Sequence, residues 1–245
     1  MKKILLIHPH DKSTKFLKRI KNCLVNNSSN LIHYYNVKPN DNSHANCIKL
    51  IKSMPEDSLI IFMGHGTKDV LCGSKSDDYE MYEFTSDEAM RENQFYINYY
   101  KTEFFNESNF NVFEGKLFFC LACNSRDLSQ KVIKDGAKAF IGFGNLPTSK
   151  EEFIQEKTNF PSKYLVAQMK SELNYILKKS LLIAIHNSYN FDQLLNLLHF
   201  FANQRIAHHL ANRKKKKERF ILADQLYFLK KNLKLVGDRH ILITA

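Results

Sequence analysis

The sequence predicts an α/β protein built on a mostly parallel sheet. Three observations carry that prediction. Short apolar runs alternate with helical spacing through the first third of the chain. Proline and glycine fall at the ends of these runs. At 245 residues the chain is long enough to bury a sizeable core.

Lys3 to His8 is an apolar run and reads as a first strand. Ser13 to Leu24 carries Phe16, Leu17, Ile20 and Leu24 at helical spacing. Leu31 to Val37 reads as a second strand, and Ser43 to Met54 as a helix with Pro55 just beyond its end. Leu59 to Met63 is a third, buried strand. The rhythm then breaks. Residues 72–114 read as an acidic, aromatic insertion, with ten acidic residues against three basic ones. Lys116 to Leu121 resumes the pattern as a fourth strand. Asp127 to Lys134 follows as a helix closed at Gly136, and Ala139 to Phe143 as a fifth strand. Residues 160–235 read as mainly helical, and His240 to Thr244 as a last strand. The whole, residues 1–245, reads as a single domain.

Composition narrows the class. Apolar residues make up 44% and charged residues 25%, which is ordinary for a globular chain. The apolar run at the start is too short for a secretory signal, and no run approaches the length of a membrane span. The five cysteines are scattered and odd in number, so a disulfide framework is not expected. A reducing, cytoplasmic setting follows, in which thiols stay reactive. No membrane contact and no cofactor are expected. The net charge of +11 is unevenly placed: residues 205–240 hold eleven Lys and Arg against three acidic residues. The run Arg213-Lys214-Lys215-Lys216-Lys217 with Arg219 (213–219) is the strongest charge signal. No nucleic-acid motif accompanies it, so it reads as a solvated helix face or a contact for acidic residues, and nucleic acid is not the expected partner.

Two short motifs carry chemistry. The third strand runs into Gly64-His65-Gly66, and the fourth into Ala122-Cys123-Asn124-Ser125. Ligands of open parallel sheets bind beyond the carboxyl ends of the strands. If these strands are neighbours, His65 and Cys123 face one crevice. A thiolate is a strong nucleophile, and a nearby imidazole lowers its pKa and moves protons. Glycine beside the histidine lets a substrate backbone approach, and the N–H groups of Gly66 and Cys123 are suited to an oxyanion hole. Cys120 and Cys123 also spell C-x-x-C, but Cys120 lies inside the apolar run, which argues against a redox pair. The other cysteines are isolated, so zinc is not expected. His8 and His10, beyond the first strand, border the same crevice or are plain loop residues.

The order apolar strand, His-Gly, gap, apolar strand, Ala-Cys and polar turn resembles the clan CD cysteine peptidases. That group includes caspases, legumain, separase, gingipains and the CHAT peptidases. The run Ala122-Cys123-Asn124-Ser125 through Leu128, Val132, Gly136-Ala137-Lys138-Ala139 and Phe140-Ile141-Gly142 is most similar to the CHAT and gingipain side. Leu235-Val236-Gly237-Asp238 resembles the way gingipain-type domains close. The resemblance implies a caspase-like three-layer α/β/α fold with a mostly parallel six-stranded sheet. It implies a thiol protease, a hydrolase of protein or peptide substrates, in which Cys123 attacks and His65 serves the leaving amine. No third catalytic residue is evident. An acidic first pocket would favour Arg or Lys at the cleavage site, with Asp69, Asp77 and Asp78 as candidates. Compact microbial relatives act in antiviral defence, and an activating ligand or partner protein is an expected partner. The acidic insertion, whose base borders the crevice, is either the controlling element or a solvated loop with buried aromatics. The alternative of a different class is a non-catalytic caspase-like module for sensing or assembly.

Overall fold

The computed structural model describes residues 3–9, 11–74, 103–155, 161–211 and 216–244. Its centre is a six-stranded sheet built from β1 (Ile4–Pro9), β2 (Ile32–Val37), β3 (Leu59–Met63), β6 (Leu117–Leu121), β7 (Ala139–Gly142) and β8 (Lys234–Gly237). The spatial order is β2-β1-β3-β6-β7-β8. All neighbours run parallel except β7 and β8, which are antiparallel. The expected α/β class, the mostly parallel six-stranded sheet and the helical C-terminal part are therefore present.

Alternation along the strands decides which helix covers which face. Ile4, Leu6, Leu59, Ile61, Met63, Leu117, Phe119 and Leu121 point to one side. There they meet α1 (Lys18–Asn27), α5 (Lys163–His186), α6 (Phe191–Ala211) and α7 (Lys216–Lys231). Leu5, Ile7, Ile60, Phe62, Phe118 and Cys120 point to the other. That side is covered by α2 (Asp41–Ser53), by α3 (Ser129–Lys134) and by a ring stack of Phe105, Phe113, Phe118 and Phe140. Strands buried on both faces read as unbroken apolar runs, which is why these were legible.

Three sequence expectations change. The helix expected from Ser13 begins as a 3-10 turn at Lys15–Leu17 and becomes α1 only at Lys18. The last strand is Lys234–Gly237; Leu242, within the expected His240–Thr244 strand, makes a single bridge to Asn190. The insertion is anchored at both ends: β4 (Leu71–Cys72) pairs with β5 (Glu103–Phe105). Phe104, Phe105, Phe110 and Phe113, inside its expected bounds, belong to the core. Residues 75–102, which hold most of its acidic positions, lie outside the described residues.

The helical layer holds a charged cluster around the buried Glu172. Glu172 on α5 accepts from Arg205 Nε at 2.5 Å and Nη2 at 2.9 Å, and its Oε1 lies 2.9 Å from His209 Nε2, both on α6. Glu172 is only 3% exposed. Among the described residues, no helix is long and apolar enough to cross a membrane.

Candidate active site

The register of β3 against β6 places the two motifs. Met63 and Leu121 are partners, and Gly64 N donates to Leu121 O at 3.1 Å. His65 and Cys123 each stand two residues beyond that pair, so they leave adjacent strands, about 4.8 Å apart, toward the same face. Both line one small cleft of about 30 Å³, with Gly64, Leu146 and Thr148 around it and Phe16, Leu17 and Leu173 as apolar wall. That volume admits roughly two waters.

The Cys123 turn is tied to the end of β7. Ser125 Oγ donates to Cys120 O at 2.8 Å and accepts from Phe143 N at 2.9 Å. Asn124 N donates to Gly144 O at 3.0 Å, and Arg126 N to Phe143 O at 2.9 Å. Asn124 takes a left-handed φ of 55°, which asparagine tolerates better than most residues. A Cβ at Gly142 would fall 2.7 Å from Arg126 N, so only glycine lets the turn lie across β7.

Gly66 seats the histidine loop against the cysteine turn. A Cβ there would lie 3.0 Å from Ala122 Cβ, 3.0 Å from Leu71 Cδ2 and 3.3 Å from Cys123 O. Its bridge to Leu71 is of the wide type, held by Thr67 N to Val70 O and Cys72 N to His65 O. The Gly66 N–H therefore points away from β4. Among the described residues neither the Gly66 N–H nor the Cys123 N–H has a protein acceptor. Gly66 is buried, and a buried N–H without an acceptor is rare and marks a place for a ligand or water.

Two residues that sequence reading missed hold His65. Ser13 Oγ lies 2.6 Å from His65 Nε2, and Asp11 Oδ1 lies 3.5 Å from the same nitrogen. Ser13 Oγ also donates to Asp11 Oδ1 at 2.5 Å, and an ionised carboxylate only accepts. The single hydroxyl proton is thereby used, so Ser13 offers His65 a lone pair and Nε2 carries the ring proton. In the neutral ring the lone pair is then on Nδ1. Burial alone would raise the Asp11 carboxyl. The hydrogen bonds and charge of His65 and the bonds from Ser13 outweigh it and hold the group well below the usual carboxylate range. The only hint in the sequence was the polar stretch directly after β1, which in an open parallel sheet opens onto the same crevice.

Cys123 has different partners. Its Sγ donates to Leu146 O at 3.7 Å and to Glu152 Oε1 at 3.9 Å, and its hydrogen bonds do not reach His65. The residue is half-buried. Burial, followed by the Glu152 carboxylate, pushes the thiol far above its ordinary range. Cys120 is fully buried on the opposite face of the sheet. Burial pushes Cys47 and Cys72 up to about 12.

The remaining candidates fall elsewhere. Asp69 is exposed, pairs with Lys131 at 3.2 Å and is not among the cleft residues. Asp77 and Asp78 lie outside the described residues. His8 is inside β1 rather than beyond it, buried with Nε2 3.2 Å from Thr14 Oγ1; His10 lies outside the described residues. Of the basic run, Arg213 to Lys215 also lie outside them, while Arg219 sits over the Phe220 ring. Among the described residues no group of three or more His, Cys, Asp and Glu is placed to hold a metal.

Compared with known proteins, the chain matches no protein family, no curated protein and no solved structure.

Proposed function

We propose that this chain is a caspase-like cysteine endopeptidase of the clan CD type, with Cys123 as nucleophile and His65 as acid and base. One observation carries the reading. Neighbouring parallel strands deliver a thiol and an imidazole in register to one cleft, beside two N–H groups that have no acceptor among the described residues.

The chemistry balances with these groups alone. The Cys123 thiol gives its proton to His65 Nδ1, and the thiolate attacks the scissile carbonyl carbon. The carbonyl electron pair moves to oxygen, where the Gly66 and Cys123 N–H groups donate to it; each such donor contributes about 3 kcal/mol. His65 then passes its proton to the leaving nitrogen as the C–N bond breaks. Water hydrolyses the thioester with His65 as base. Asp11, acting through Ser13, keeps Nε2 protonated and stabilises the ring while it is charged. The first test is a peptide-library digest comparing the native chain with Cys123→Ala. Peptides cut only by the native chain support the reading. No cleavage by any form would favour a sensing or assembly module.

Two variants probe the supporting parts. Asp11→Asn should lower turnover about 10- to 100-fold, less than the roughly 10²- to 10⁴-fold expected for His65→Ala. The loss should shrink at a pH where the ring need not hold a charge, and a pH–rate profile reads this directly. Gly66→Ala should cost about 100-fold in kcat with little change in KM, because the added Cβ pushes the donor off the cysteine turn. Steady-state kinetics separates the two parameters.

A further inference from the structure

The loop after β7 closes over the nucleophile. It runs from Phe143 into α4 (Lys150–Gln155) and brings Leu146 O and Glu152 Oε1 to the Cys123 sulfur, at 3.7 and 3.9 Å. Glu152 is 8% exposed. Its second oxygen is fully used: Oε2 accepts from Thr148 N at 2.6 Å, Thr148 Oγ1 at 3.2 Å and Ser149 N at 2.8 Å. Ser149 Oγ in turn accepts from Glu152 N at 3.2 Å. This reciprocal pair is a capping box, and it fixes the loop and the start of α4 as one unit. The same carboxylate that closes the cap therefore holds its free oxygen against the thiol.

Such a contact works against catalysis. A carboxylate beside a thiol disfavours the thiolate, and the thiolate is the nucleophile. The cleft that Cys123 and His65 both line is small, about 30 Å³. Among the described residues, the charged and titratable groups near the sulfur are Glu152 on α4, His65 after β3 and Cys72 on β4; the other elements present Thr14, Phe16, Leu17 and Leu173.

We infer that the segment 143–155 is a latch, in which Glu152 and the Leu146 carbonyl hold Cys123 as a shielded thiol until the segment lifts. This rests on the peptidase reading only for its biological meaning; the latch itself is a statement about the reactivity of Cys123. When the segment lifts, the thiol proton passes to His65 Nδ1 and the attack described above begins.

The test is the rate of Cys123 alkylation by iodoacetamide, followed by peptide mass mapping from pH 6 to pH 10. In the native chain the rate should stay below that of an ordinary exposed thiol and climb only above the ordinary thiol range. Glu152→Gln keeps the shape and the capping oxygen but removes the charge. It should speed alkylation about tenfold and move the pH profile downward, since rate rises about threefold for each unit of thiol pKa lost. Ser149→Ala, which opens the cap, should raise the rate at every pH. Native Cys123 reacting as an ordinary thiol, or a Gln variant indistinguishable from native, overturns the latch; the native profile alone decides the first point even if a variant fails to fold. Peptide cleavage is measured on the same samples. Faster alkylation without cleavage keeps the latch and removes the peptidase. Cleavage that Glu152→Gln does not change, with unchanged alkylation, keeps the peptidase and removes the latch.

Discussion

Cys123→Ala is expected to abolish peptide cleavage, by at least about 10⁴-fold, because the acyl intermediate forms on its sulfur. Cys120→Ala should retain measurable activity. The two cysteines are three residues apart, yet the strand pleat sends them to opposite faces. Cys120 lies in the core with Phe118 and Phe140, and burial pushes its thiol far above the ordinary range. Cys123 lies beyond the strand end, in the cleft with His65. Hydrolysis of library peptides by the two variants separates the positions. Loss of activity in Cys120→Ala with retention in Cys123→Ala would place the chemistry on the wrong strand position.

Glu172→Ala should produce the largest loss of stability, about 3–5 kcal/mol, because the buried His209 and the half-buried Arg205 would both lose their carboxylate partner. For a chain of this size that is a fall in melting temperature of roughly 6–20 °C. The replacement does not touch the cleft, so turnover per folded molecule should hold. The sign with pH follows from the carboxyl. Burial alone would raise it, but the bonds from His209 and Arg205 and their charges hold it below the ordinary glutamate value. Its stabilisation is therefore present above that ordinary value and is lost as the pH falls through the lowered one. Native protein should lose stability in acid more steeply than the variant. Thermal melts of both between pH 3 and pH 7 check this.

Much of the fold was legible because the central strands are buried on both faces. Leu59–Met63 and Leu117–Leu121 each appear as five unbroken apolar residues. The sixth strand was not legible as a strand. Lys234–Gly237 is an edge, half-exposed, and includes a lysine, so it lacks both the apolar run and a clean alternation. The helix start at Lys18 was misplaced because apolar spacing continues through the preceding 3-10 turn, where Leu17 is also buried.

The site was legible in halves. His65 and Cys123 stand out because each follows an apolar strand and sits in a short Gly- or Asn-marked turn. Asp11, Ser13 and Glu152 did not stand out, because nothing in their local sequence ties them to His65 or Cys123. Ser13 is 52 positions from His65, and Glu152 is 29 from Cys123. Only the sheet order, which sets β1 beside β3 and β7 beside β6, brings them together. Ser149 and Glu152 did carry a capping-box pattern, but that pattern speaks of a helix start and not of a thiol.

The central claim is a covalent bond at Cys123 formed with the help of His65. The direct measurement is intact-mass and peptide mapping after treatment with a peptidyl acyloxymethyl ketone, on native protein, His65→Ala and Glu152→Gln. The account predicts one adduct, on Cys123, formed faster in Glu152→Gln and lost in His65→Ala. An adduct on another cysteine, or one on Cys123 that forms equally fast without His65, would contradict it.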